Sequence, residues 1–224
     1  MSRKYFLIGA CCLGIALFLS LISSISLPYL PALDYARVKF SVALSNGAGG
    51  VKGAQADFRW GIWGACAYDT DGKRTCEFLG HGYESGFIDP TGQIVLIAGS
   101  WTRGLAIHPV VTAVIAIAVG LAVAKWEHGT LAATLTSALA ALMLLIAFAI
   151  DIALFAFVHH QVGKLKEVNG NVNAGTAFWF TLVELVLCII GAVMVLIGRR
   201  SDSGGDAYPM FSNQSGGFLS RFKK

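Results

Sequence analysis

The chain is short of charge. Only 13% of its 224 residues are Asp, Glu, Lys or Arg, about half the share of an ordinary soluble domain. The formal net charge is +4 and no long basic block occurs, which argues against a nucleic-acid partner. Catalytic patterns are missing too. There is no P-loop, no zinc motif, and no serine or cysteine nucleophile with a matched base, so no enzyme, cofactor or metal is expected. No pair of broken helices marks a transport path. Cysteines number five. Cys11, Cys12 and Cys188 lie in apolar runs, whereas Cys66 and Cys76 lie in a polar segment. That split predicts one disulfide on an oxidising side and three unpaired thiols.

What the chain has instead is apolar length. Hydrophobic residues make up 55% and gather in four runs, 5–27, 107–124, 131–158 and 177–198. A membrane-crossing helix needs about 20 such residues. The third run has 28, enough to tilt or to project beyond a bilayer. Arg3 and Lys4 ahead of the first run also suit a signal peptide, but its apolar stretch is too long for one, and an uncleaved helix is expected. Basic residues flank the runs at Arg3, Lys4, Lys125, Arg199 and Arg200, which puts both termini and the 125–130 turn in the cytoplasm. Lys164 and Lys166 count the other way. The expected fold is a four-transmembrane-helix bundle over residues 1–200, with an extracellular loop at 28–106.

That loop has strand periodicity. Val38, Phe40, Val42 and Leu44 alternate with Lys39, Ser41 and Ala43, and Phe58, Trp60 and Ile62 alternate with Asp57, Arg59 and Gly61. With the glycine-rich turn 46–53 between them, they predict a hairpin with one apolar face. The loop's seven basic and seven acidic residues cancel.

Next comes Gly61-Ile62-Trp63-Gly64-Ala65-Cys66, with nine residues before Cys76. A two-residue turn at Asp71-Gly72 sets Cys66 opposite Glu77. A three-residue loop, Thr70-Asp71-Gly72, instead pairs Asp69 with Lys73, Tyr68 with Arg74, Ala67 with Thr75 and Cys66 with Cys76. Gly72 then takes the left-handed position, and the cysteines face each other at bridging distance. Two cysteines without a nearby histidine make a poor zinc set. Trp63 is expected to pack on the helix ends.

These residues resemble the Gly-Leu-Trp-x-x-Cys…Cys signature of the claudin superfamily, which sits between the first two of four helices. Further stretches are similar to the fungal PalI family: Thr102 to Val110 around His108-Pro109, Asp151 to Phe155, and Gly175 to Trp179. The likeness covers roughly residues 5–200. It implies a claudin-like membrane α fold with a disulfide-stapled antiparallel sheet in the first extracellular loop. It also implies a non-enzymatic accessory or scaffold in the plasma membrane that stabilises or localises a multi-span ambient-pH sensor of PalH type. The alternatives are a self-associating, eisosome-type membrane organiser and a claudin-like adhesion subunit. Phe40 stands where claudins carry a further tryptophan, and only 24 residues follow Arg200; both features point away from a tight-junction claudin. Partners are then membrane lipids and either another multi-span protein or a second copy.

Asp151 and Glu184 are the acids within the spans. Each lies seven residues from the extracellular end of its run, about 10 Å deep, so neighbouring antiparallel helices hold them level. One reading is a cluster that responds to pH, with His159 and His160 just above it. The other is plain packing, with Asp151 bonded to a neighbouring helix and Glu184 reaching toward the interface. His108 suits the interface beside Trp101 and Arg103, and Pro109 suits a first helical turn. Gly120, Ala124, Ala132, Ala133 and Gly191 offer close helix packing. Residues 201–224 are rich in Gly, Ser, Asn and Asp and predict a disordered cytoplasmic tail. It contains a tyrosine-type sorting pattern, Tyr208-Pro209-Met210-Phe211, and a basic aromatic end suited to an anionic membrane surface.

Overall fold

A computed structural model describes residues 2–46, 55–78, 80–88, 92, 94–124, 129–165 and 169–203. The elements run α1 (Ser2–Tyr29), β1 (Ala36–Asn46), β2 (Gln55–Trp60), β3 (Gly64–Asp69), β4 (Arg74–Phe78), β5 (Ser85–Ile88) and β6 (Ile94–Ile97). After these come α2 (Gly99–Arg103), a 3-10 turn at Gly104–Ala106, α3 (Ile107–Val123), α4 (Gly129–Val162), β7 (Gly170–Ala174) and α5 (Thr176–Ser203). Four stretches are helical, long and apolar enough to cross a membrane: Lys4–Tyr29, Gly99–Val123, Leu131–Val162 and Thr176–Gly198. The chain is therefore built as a multi-pass membrane protein.

Two spans run well past their apolar runs. The second begins at Gly99, because α2 and the 3-10 turn lead into α3. The fourth helix, α4, has 34 residues, about 51 Å at 1.5 Å per residue, against about 30 Å of hydrocarbon. Its last turns leave the bundle and carry the sheet: Leu154, Val158 and Val162 share one core with Val38, Phe40 and Phe58. Helices α1 and α5 meet closely because side chains are missing there. A Cβ on Gly191 would lie 2.8 Å from Leu13, and one on Gly9 would lie 3.0 Å from Val195. Ala133 is buried as expected. Gly120 and Ala124 are exposed instead, and nothing lies within 4 Å of the Cβ position of Gly120. They stand on the outward side of α3, where close packing has no partner.

Among the described residues the sheet has seven strands, ordered β4-β3-β2-β1-β5-β6, with β7 off this path and paired to the first half of β1. Strands β1 and β2 pair antiparallel, with Ala36 opposite Trp60 and Val38 opposite Phe58. Their apolar face, Val38, Phe40, Phe58 and Trp60, is buried. Residues 47–53 of the glycine-rich turn and the side chains of Val42 and Leu44 lie outside the described set. So does 204–224 of the tail, with both tail motifs. The 161–175 segment is more than a loop. Its Gly170–Ala174 stretch pairs antiparallel with β1 from Ala36↔Ala174 to Phe40↔Gly170. This strand ties the sheet to the α4–α5 connection as well as to the α1–α2 connection.

Two apolar cores result. One joins the sheet to the helix ends and includes Ile62, Leu105, Leu154, Val158 and Ala177. The other fills the bundle and includes Leu13, Val111, Ile115, Leu144, Leu185 and Cys188. On α5 the buried polar residues Thr181 and Glu184 fall between Ala177 of the first core and Leu185 of the second, and on α4 Asp151 falls between Leu144 and Leu154.

Candidate functional site

The Gly61–Cys66 motif joins sheet to bundle. Cys66 and Cys76 are bonded, with Cα atoms 4.0 Å apart. The register is the one the three-residue loop demands: Cys66↔Cys76, Ala67↔Thr75 and Tyr68↔Arg74. The Asp69 N–H donates to Lys73 O at 3.0 Å, and the Gly72 N–H donates to Asp69 O at 2.9 Å. Gly72 has φ of 78°, the conformation glycine takes without strain. Cys11, Cys12 and Cys188 are free thiols.

Three successive residues of the motif then hold α1. Gly61 lies so close to the kinked end of the helix that a Cβ there would be 2.5 Å from Leu27 Cβ and 2.9 Å from its backbone nitrogen. The Ile62 N–H donates to Ser26 Oγ at 3.0 Å. The half-buried Trp63 donates its indole N–H to the Ser24 carbonyl at 2.8 Å. From beyond the motif, Tyr83 donates its hydroxyl to Gly61 O at 2.8 Å. The Tyr83 hydroxyl is held well above its ordinary pKa by burial, with the Gly61 bond pulling weakly the other way.

A second clasp lies between β1 and α5. Asp34 is fully buried and takes a two-pronged bond from Arg37, at 2.8 and 2.9 Å. That hydrogen bond is the main reason the Arg37 guanidinium is raised above its ordinary pKa. The Asp34 carbonyl accepts from the Ala177 N–H, and the Tyr35 carbonyl from the Gly175 N–H, each at 3.0 Å.

Beneath these clasps is the polar layer. All four spans and the α1–β1 link supply it: Ser20, Ser23 and Ser24 from α1, Tyr35 from the link, His108 and Thr112 from α3, Asp151 from α4, and Thr181 and Glu184 from α5. Of these, Ser24 is the one that is not fully buried. His108 Nε2 lies 3.1 Å from Asp151 Oδ1. Ser23 donates to Glu184 Oε1 at 2.9 Å and has Leu19 O at 3.0 Å. Ser20 and Ser24 each bond the Thr112 hydroxyl at 2.7 Å. Thr181 spends its proton on Ala177 O at 3.1 Å. The Tyr35 ring packs on His108 with centroids 4.7 Å apart. Burial first, then the nearby Asp151 and Glu184, push the Tyr35 hydroxyl far above its ordinary pKa. Three oxygens here have no hydrogen-bond partner: Tyr35 Oη, Asp151 Oδ2 and Glu184 Oε2.

Asp151 and Glu184 thus share one layer, and both are sealed inside. Glu184 is fully buried and does not reach toward an interface. His108 is 2% exposed; it turns inward to Asp151, away from the interface position expected beside Trp101. The reason is the acid across the bundle, which offers a buried acceptor that water would otherwise supply. Pro109 stands in the first turn of α3. His159 and His160 are exposed on the last turn of α4, two turns beyond Asp151, and take no part in the layer. The serines, Tyr35, Thr112 and Thr181 were missed. Ser20, Ser23 and Ser24 are spaced three and four apart, which puts them on one helix face, and that spacing was the available signal.

No family model matches the chain, and no curated protein matches it at a significant level.

Proposed function

We propose that this chain is a non-enzymatic accessory or scaffold protein of the plasma membrane, of PalI type, which stabilises or localises a multi-span sensor of ambient pH. In this reading the sheet is extracellular and both termini are cytoplasmic. The basic flanks Arg3, Lys4, Arg199 and Arg200 support that orientation, as does the oxidised Cys66–Cys76 pair, which belongs on an oxidising side.

One observation carries the reading. Ser20, Ser23 and Ser24 join α1 to its neighbours, His108 and Asp151 join α3 to α4, and the Gly61–Trp63 motif joins helix to sheet. That is the construction of a rigid holder. Its outward faces are apolar, with Ile117, Leu135, Leu139 and Val186 exposed along the spans. Such faces suit lipid or the helix of a neighbouring membrane protein. A second reading, a self-associating membrane-domain organiser, is favoured by α4. Leu135, Leu139, Leu142 and Ile146 are all exposed there, on one row of the helix. Exposed Ile94 and Leu96 on the edge strand β6 would serve a claudin-like adhesive contact.

Crosslinking mass spectrometry on intact cells separates the three. Crosslinks from the sheet and helix ends to a multi-span sensor support the first reading. Self-crosslinks alone replace it with the second, and crosslinks between apposed membranes replace it with the third. Glycosylation at Asn213, part of an Asn-Gln-Ser sequon, would place the tail outside and overturn the orientation.

A further inference from the structure

We propose that the polar layer is a binding site for a single positive charge, and that this charge is a proton carried on the Glu184 carboxyl. The inference does not depend on the identity of any partner.

The charge inventory comes first. Facing the layer, α1 offers only the hydroxyls of Ser20, Ser23 and Ser24. The link offers Tyr35, while Asp34 is committed to Arg37. The remaining groups are His108 and Thr112 from α3, Asp151 from α4, and Thr181 and Glu184 from α5, with Cys188 one turn deeper. From the sheet, Tyr83 spends its hydroxyl on Gly61 O. Arg103 is exposed beside Gly82. The described groups facing the layer are therefore two carboxyls, one imidazole and no Lys or Arg. Two ionised carboxylates there would leave at least one negative charge uncompensated, even with His108 protonated. Isolated buried charge is among the costliest arrangements a protein can hold.

The donor count says where the proton sits. An ionised carboxylate accepts up to about four hydrogen bonds. Asp151 has a donor that can itself carry charge, His108 at 3.1 Å. Glu184 has uncharged hydroxyls alone: Ser23, whose proton Leu19 O contests, and Ser20, whose hydroxyl also meets Thr112. As a carboxylate, Glu184 would be starved of donors. As a carboxylic acid it needs only what Ser23 supplies at Oε1, and its own Oε2–H becomes a donor. The Tyr35 hydroxyl, 1% exposed and close enough to feel both acids, is a further unpartnered oxygen in the layer, able to accept from a protonated carboxyl.

A proton fits better than a larger cation. Ser23, Thr181 and Glu184 are each at 0% exposure, with apolar cores on either side. The step is one proton transfer from hydronium to Oε2: one O–H bond forms on the carboxyl, one O–H bond of hydronium breaks, and water is left. Losing that proton would put a second negative charge beside that of Asp151 in the sealed layer between α5 and α1. Rising pH would thus loosen the end of α1 that the sheet grips.

The test is infrared spectroscopy of the full-length protein in lipid nanodiscs across a pH series, with sodium chloride and then choline chloride as the salt. The expected result is a protonated-carboxyl C=O band at neutral pH. It should be lost in Glu184→Gln, kept in Asp151→Asn, and unmoved by exchanging sodium for choline. Absence of the band in the wild-type protein, or its persistence in Glu184→Gln, overturns the proposal. A band that appears only once sodium is withdrawn also overturns it, because sodium would then be the occupant. If Glu184→Gln does not fold, Ser23→Ala replaces it. Removing the donor to Oε1 should shift the band, and an unshifted band counts against Glu184. Failure here leaves the crosslinking result standing, and failure of the crosslinks leaves this one standing.

Discussion

The indole N–H of Trp63 donates to the backbone carbonyl of Ser24 across 2.8 Å. Ser24 itself reaches the other way, with its hydroxyl 2.7 Å from Thr112 on α3. One residue therefore connects the tightest turn of the sheet to the polar layer of the bundle. Replacing Trp63 with Phe keeps the ring and removes the donor. The Ser24 carbonyl would lose its partner at a cost of about 1–2 kcal/mol. Thermal unfolding in detergent micelles should show that loss, while Trp101→Phe, whose partly exposed ring stacks on Phe157 at 4.2 Å, should move the transition less.

Gly61 is held to its identity by contact with Leu27. An alanine methyl would sit 2.5 Å from the Leu27 side chain and 2.9 Å from its backbone nitrogen, and backbone cannot step aside as a long side chain can. Gly61→Ala should destabilise by about 1–3 kcal/mol, the usual range for overpacking. Gly14, in α1, has nothing within 4 Å of its Cβ position. Gly14→Ala should be neutral or stabilising by up to about 1 kcal/mol, since alanine is the better helix former. Equal losses in both variants would show that the close approach at Gly61 does not matter.

The disulfide gives a count. Denatured, unreduced protein should take up three maleimides, at Cys11, Cys12 and Cys188, and reduced protein all five. Mass spectrometry reads both numbers directly. Cys66→Ser with Cys76→Ser should cost about 2–3 kcal/mol, as expected for opening so short a loop.

What was legible in the sequence follows from the range of the interactions. The β3–β4 register was readable because a turn type and two cysteines fix it within 11 residues, Cys66 to Cys76. The four spans were readable because apolar length is a local property. Strand β7 was not, since Asn171, Val172 and Asn173 carry almost no apolar pattern and the strand exists through its main-chain pairing with β1. The level placement of Asp151 and Glu184 came from counting residues along two helices. The His108–Asp151 bond spans 43 residues and two helices; a rule that places histidine at an interface could not foresee an acid across the bundle. The tie of Ser23 to Glu184, 161 residues apart, has no local signature beyond the spacing of the serines.

Alkali should unfold the junction before it ionises its tyrosines. Tyr35 and Tyr83 are 1% and 3% exposed, and burial raises both hydroxyls above the ordinary value of 10.0. A group raised in the folded state gives its full stability below its unfolded pKa and loses it as pH climbs toward the folded one. Stability should thus be unaffected by these groups up to about pH 10 and fall above it. Phenolate absorbance should rise for these two only together with the loss of near-ultraviolet circular dichroism. In Tyr83→Phe the alkaline limb should begin at the same pH but fall less steeply, because Tyr35 alone remains, while the lost bond to Gly61 O costs about 1–2 kcal/mol at neutral pH. Phenolate formation at Tyr83 in protein that keeps its tertiary spectrum would contradict the sealed junction.

The buried pair His108–Asp151 should act as one unit. Both side chains are almost fully excluded from solvent, at 2% and 0%. Removing either partner leaves the other polar and unpaired inside the bundle, which costs about 3–5 kcal/mol for a buried pair. Removing both takes away the need along with the partner. His108→Ala and Asp151→Ala should each be severely destabilising, and the double variant should lose less than their sum, with a coupling of about 0.5–3 kcal/mol. Ile152, the next residue on α4, is 45% exposed. Ile152→Ala combined with His108→Ala should be additive within about 0.5 kcal/mol. A double-mutant cycle by thermal unfolding in nanodiscs measures both couplings in the same lipid. If the His108–Asp151 coupling is no larger than that of the control, the two side chains are merely neighbours and the polar layer is held by its hydroxyls alone.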